Sequence, residues 1–129
     1  MSRSLHPAML VATVALTAAT GLYGAVAMAR PQALGGGDAP TPQGRYFAQM
    51  YAARTGPLAV LTIWAVCWGG PSVARPVLRT AAVVQLGDAV IGCRHRQPRQ
   101  VAGPLALAAL YELTRRSFAG RATGAALHA

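Results

Sequence analysis

The stretch "TGPLAVLTIWAVCWGGPSVA" (Thr55–Ala74) lies between Arg54 and Arg75 and carries no formal charge over 20 residues. Its first part is aliphatic and aromatic; its end, "WGGPSVARP" (Trp68–Pro76), packs two glycines and two prolines into nine residues. Glycine and proline punctuate chains because one frees φ and the other removes a backbone donor. The stretch therefore reads as the apolar end of one helix, a turn, and the start of another. An uncharged run of roughly 18 or more apolar residues is long enough to cross a bilayer as a helix. This one reading sets the fold class as all-α.

The same pattern repeats on both sides. Before the turn, "RYFAQMYAARTGPLAVLTIWAVCW" (Arg45–Trp68) begins polar and aromatic and becomes apolar, which predicts a helix from about Pro42 to Trp68 with its span over about 45–68. Tyr46 and Tyr51 fall near one end and Trp64 and Trp68 near the other, as interfacial aromatics do. Pro57 is a candidate kink. "RPQALGGGDAPTPQG" (Arg30–Gly44), with three successive glycines and three prolines, is a loop. Ahead of it, "PAMLVATVALTAATGLYGAVAMA" (Pro7–Ala29) sits in a gap of 26 uncharged residues between Arg3 and Arg30. Arg3 and the Ala27-Met28-Ala29 triplet also fit a secretory signal peptide. The core is longer than the usual ~7–15 residues of such a leader, so a retained span over about 8–29 is favoured. Small residues recur every four positions, as Ala15 and Ala19, Gly21 and Ala25, Ala25 and Ala29. Such spacing lets helix backbones approach in lipid, although any alanine-rich helix produces it by chance.

Beyond the turn, "PVLRTAAVVQLGDAVIGC" (Pro76–Cys93) predicts a third span over about 73–93, with Arg79 able to snorkel outward. "RHRQPRQ" (Arg94–Gln100) is a short polar loop. "VAGPLALAALYELTRRSF" (Val101–Phe118) is a fourth, weaker span over 101–118, interrupted by Glu112. The remainder, 119–129, is small and polar and reads as a mobile tail. The expectation is a single integral membrane domain over 1–129, a four-helix transmembrane bundle in the cell membrane.

Composition agrees. Hydrophobic residues make up 53% of the chain and charged residues 12%, against about 25% in an ordinary soluble domain. The acids are Asp38, Asp88 and Glu112, and all 12 basic residues are arginine. A net charge of +9 raises nucleic acid as a partner, but the arginines punctuate uncharged runs and form no stripe with interleaved aromatics. The bilayer is the expected partner, joined by another membrane protein or a second copy of the chain. Six arginines fall on the side of the termini and six on the other. Discounting Arg45 and Arg54, which lie within a helix, favours cytoplasmic termini.

Asp88 is the one acid inside an apolar run that no neighbour in sequence explains. If the second and third helices fold as a hairpin about Pro71, Asp88 lies seventeen residues after that turn and Arg54 seventeen before it. Equal rise places them at one depth, so Arg54 is the expected partner. Gln85 shares the face of Asp88 three residues earlier and is the expected third member of this intramembrane polar site. The site reads either as a register-fixing pair or as part of a functional pathway. Glu112 and Arg116 form a second, interfacial pair at i, i+4.

No catalytic, cofactor-binding or metal-ligating set emerges. Cys67 and Cys93 fall near opposite membrane faces and read as free thiols. His6, His95 and His128 are scattered at loops and termini. "GGGD" lacks the strand–helix context of a nucleotide loop.

"RYFAQMYAARTGPLAVL" (45–61) and "GDAVIGCRHRQP" (87–98) resemble segments of small bacterial and fungal four-span proteins of domain-of-unknown-function family 4267, loosely similar to DoxX-like membrane proteins. The family pattern has an aromatic-rich start, Gly-Ala-Arg-Asp, a long apolar helix, and later Ala/Gly-Asp before a basic loop. Ala53-Arg54 and Gly87-Asp88 match it, while Thr55 stands where the family carries its first aspartate. The resemblance covers about Tyr46–Leu113 and implies a four-helix membrane protein without implying a reaction. The expected role is therefore an interaction or accessory membrane protein. The alternative is a small-molecule or proton/ion pathway around Arg54, Gln85 and Asp88. An enzyme is the least favoured reading.

Overall fold

The computed structural model describes residues 7–30, 32, 41–96 and 98–126, with side chains except at 99 and 120–126. Four helices follow one another: α1 (Pro7–Ala29), α2 (Pro42–Cys67), α3 (Gly70–Arg94) and α4 (Pro98–Ala126). The core of the expected 30–44 loop, with Asp38, lies outside the described residues, as do Arg3, His6 and His128. Pro42–Gly44, at the end of that loop, form the first turn of α2, where the sequence places the start of this helix. Thr41 caps that turn by accepting a hydrogen bond from the Gly44 N–H at 3.1 Å, and Pro42 needs no donor at its position.

Each helix packs on its neighbours in sequence, and α1 also packs on α4, which closes a four-membered ring. The tightest seams are α3 with α4 and α1 with α2; the α2–α3 and α1–α4 seams are slimmer. The α2–α3 turn falls at Trp68–Gly69, just ahead of Pro71. Its two glycines have separate reasons. A Cβ on Gly69 would sit 2.8 Å from the Ala65 carbonyl oxygen, and Gly70 has φ +67. At the α3–α4 turn the left-handed position is filled by Arg96, with φ 54. There the His95 N–H bonds Ile91 O and the Arg96 N–H bonds Cys93 O, which closes the helix end.

The interior is rich in small and hydroxyl side chains. Leu78 is the largest fully buried residue, followed by Thr13, Thr17, Thr62 and Thr114. Ala65, Ala74 and Ala81 fill the space around them. Threonine is tolerated inside because its hydroxyl can bond the carbonyl four residues back. Thr13 does so to Met9, Thr55 to Tyr51, Thr62 to Leu58 and Thr114 to Leu110. The α1–α4 seam adds hydroxyl contacts between helices, Thr13 Oγ1 to Thr114 Oγ1 at 2.8 Å and Thr17 Oγ1 to Tyr111 Oη at 2.9 Å. Among the described residues no buried side-chain polar atom lacks a partner.

Val66, Leu107, Tyr111 and Phe118 join Leu78 in the core, but most of the large aliphatic side chains lie outside. Val11, Leu22, Val60, Val83, Val90 and Leu113 are all exposed. A water-soluble bundle has the reverse order, with an apolar stripe inward and polar residues outward.

The alanines of the four-apart small-residue pairs on α1 face outward, in keeping with chance occurrence in an alanine-rich helix. Ala15, Ala19, Ala25 and Ala29 are exposed, while Thr13, Thr17, Gly24 and Ala27 are buried. The close approach is made by Gly21 and Gly24. Their added Cβ atoms would meet Ala59 Cβ at 3.0 Å and Thr55 Cβ at 3.4 Å.

Three helices, α1, α2 and α3, are long and apolar enough to cross a membrane. The fourth helix does not join them, because Glu112, Arg115 and Arg116 lie inside it. It also continues through 119–126, where a tail was expected. "AGRATGAA" contains no proline, so nothing breaks the helix after Phe118.

Candidate functional site

Arg54 sits midway along α2 and Asp88 in the last third of α3. The Arg54 guanidinium donates to Asp88 Oδ1 at 2.5 Å, making an interhelical ion pair. The helical register that produces it differs from the expected one. Arg54 precedes Trp68 by fourteen residues, and Asp88 follows Gly69 by nineteen. The five-residue difference leaves their Cα atoms about 7.5 Å out of level at ~1.5 Å per residue. Every helical Cα–Cβ bond leans toward its own N-terminus. In antiparallel neighbours this tilts Arg54 away from the turn and Asp88 toward it. The long arginine stem closes the remaining gap.

The two partners have unequal surroundings. The Asp88 side chain is 16% exposed and the Arg54 side chain 46%. Arg54 also lies over the Tyr51 ring, 5.8 Å from its centroid, within cation–π range. The Tyr23 ring of α1 meets Tyr51 edge-on at 6.3 Å between centroids. The aromatic support runs from α1 through α2 to the ion pair. Tyr51 lies three residues before Arg54, a spacing that puts both on one face of α2 and could have flagged it. Tyr23 carried no such signal, since it arrives from another helix. Thr55, next to Arg54, turns its hydroxyl to the Tyr51 carbonyl at 2.8 Å. The carboxylate for Arg54 comes from α3.

Gln85 is buried at 7% exposure, yet its side chain bonds neither Arg54 nor Asp88. The expected three-membered network is thus a pair with an unengaged amide nearby on the same helix.

Glu112 holds more than the single partner expected. Arg115 binds it in a two-pronged contact, Nε to Oε2 and Nη2 to Oε1, both at 2.7 Å. Arg116 Nε adds a third bond to Oε1 at 2.8 Å. Cys67 and Cys93 are exposed and free, one at the C-terminal end of α2 and the other at that of α3. His95 is exposed at the α3–α4 turn, and among the described residues no group of His, Cys, Asp and Glu could hold a metal ion.

No family model matches the chain, and neither the curated proteins nor the solved structures give a significant match to it.

Proposed function

We propose that this chain is a multi-pass membrane protein of the cell membrane that serves as an interaction or accessory subunit, for another membrane protein or for a second copy of itself. The observation that carries this reading is the exposure of Arg54. Its guanidinium is nearly half uncovered at the α2–α3 seam, on a bundle whose outer wall is large aliphatic side chains. In lipid, ionisable side chains within a span face a bundle interior, a water-filled cavity or a polar partner. The interior near the pair is filled by Ala52, Thr55, Gln85 and Ala89, all buried. A partner helix laid along the seam would cover the guanidinium.

A second reading, a proton or small-molecule pathway around Arg54, Gln85 and Asp88, draws support from Gln85, a largely buried residue whose amide makes no hydrogen bond within the bundle. Photo-crosslinking separates the two. Met50 and Ile91 are exposed, lie four residues before Arg54 and three after Asp88, and flank the pair on its own helix faces. A crosslinker at either position should capture one discrete protein species, weakened by Asp88→Asn, while a crosslinker at Val11 should not. Capture of lipid alone from both positions refutes the accessory role. Proton-linked uptake by the purified protein in liposomes, lost in Asp88→Asn, would establish the pathway instead.

A further inference from the structure

At the end of the bundle opposite the α3–α4 turn, α3 begins beside the last turns of α4. A cavity of about 280 Å³ opens there, lined by Pro71, Ser72, Arg75, Pro76, Arg79 and Arg115. Three of its six lining residues are arginines, supplied by two helices. Arg75 and Arg79 are one turn apart on α3, where like charges repel. Among the described residues neither has a carboxylate partner. The nearest available acid on α4, Glu112, is already held by Arg115 and Arg116. Arg115 is thereby fixed at the cavity wall with its side chain 25% exposed. The start of α3 adds partial positive charge, since no side chain caps it. Trp64 and Trp68, both exposed, project from the adjoining end of α2, as aromatic side chains do at headgroup level.

We infer that this cavity binds a phosphate group, and that its source is the headgroup of an anionic phospholipid seated between α3 and α4. The inference rests on the membrane reading proposed above. Its chemistry is independent of that reading. A phosphodiester supplies the acceptor oxygens that the Arg75 and Arg79 guanidinium groups find on no carboxylate among the described residues, and it can also accept from the N–H groups of Arg115 that Glu112 leaves free. Basic pockets between membrane helices bind anionic headgroups in this way. Pro71 and Pro76 contribute apolar wall and no donors, which leaves the arginines and the Ser72 hydroxyl to set the selectivity.

The test is retention of lipid by the protein released from nanodiscs of phosphatidylcholine with and without phosphatidylglycerol, read by native mass spectrometry. Phosphatidylglycerol should be held in preference to phosphatidylcholine. Arg75→Gln/Arg79→Gln should weaken that preference by about thirty-fold, the worth of two cations against an anionic headgroup. Arg75→Lys/Arg79→Lys should keep most of it, and Arg45→Gln, at the start of α2, should leave it unchanged. Arg75 and Arg79 are both exposed, so their glutamine variants should retain the helix content of the parent chain. Equal retention of the two lipids overturns the inference, as does an equal loss in Arg45→Gln. Displacement of the bound lipid by inorganic phosphate also overturns it, by assigning the cavity to a soluble ion. A chain that fails to enter nanodiscs refutes the membrane reading itself, a result distinct from insertion without lipid preference.

Discussion

Removing either member of the Arg54–Asp88 pair should destabilise the bundle unequally, and the inequality follows from exposure. Breaking a buried ion pair by deleting one partner typically costs about 3–5 kcal/mol, because the survivor is left desolvated and unpaired. Arg54→Leu leaves a carboxylate that is 16% exposed, so its effect should fall near the low end, about 3 kcal/mol. Asp88→Leu leaves a guanidinium that is 46% exposed and still stacked on Tyr51. On the membrane reading proposed above, that group can swing its stem toward the Tyr46–Tyr51 end of α2, and the expected loss is about 1 kcal/mol. The double variant should recover about 1 kcal/mol of the summed loss, since neither orphan remains. Reversible unfolding in bicelles, followed by steric trapping, measures all four corners of the cycle. Equal losses for the two single variants, or a double variant equal to their sum, would refute the reasoning.

Other consequences follow from packing. Thr17→Val should cost about 1 kcal/mol by leaving the buried Tyr111 hydroxyl without its partner, and adding Tyr111→Phe should restore most of the loss in the same unfolding assay. Gly92→Ala should destabilise by about 1–3 kcal/mol, because its Cβ would lie 2.8 Å from the Gln100 carbonyl oxygen; Gly103→Ala, which meets nothing within 4 Å, should not lower the melting temperature. Arg96→Gly should raise stability by about 1 kcal/mol by relieving a left-handed residue, seen as a higher melting temperature in detergent.

The helix count was legible because it depends on local signals. Uncharged runs set the lengths, and the residues of "WGGP" and "RHRQP" set the turns. Which face of each helix turns inward was not legible. In a water-soluble helix polarity marks the outside, but α1 is apolar all round, so Ala15 and Ala19 look as suitable for packing as Gly21 and Gly24. Thr13, Thr17, Gly21 and Gly24 do follow one another at helical spacing, a signal that alanine obscured. The α1–α4 hydroxyl contacts depend on ring closure across a sequence separation of 94 residues or more, and no local pattern encodes that. The ion pair was legible in the spacing of Arg54 and Asp88 about the turn, although the turn lies at Trp68–Gly69 and the tilt of the side chains supplies the missing length. Its aromatic support from Tyr23 depends on the α1–α2 packing and stayed hidden for the same reason.

The proposal that aliphatic side chains outside and threonines inside reflect a lipid surrounding is tested most directly by spin-label accessibility. Nitroxides placed singly at Val60, Leu86 and His95 would be used, in a chain with Cys67 and Cys93 replaced by serine and reconstituted in liposomes. All three positions are exposed on the bundle. Labels at Val60 and Leu86 should be relaxed by molecular oxygen, which concentrates in the bilayer, and shielded from a water-soluble nickel chelate; the label at His95 should show the opposite. Equal relaxation of all three by the nickel chelate would contradict the membrane reading and leave a bundle that exposes its aliphatic side chains to water.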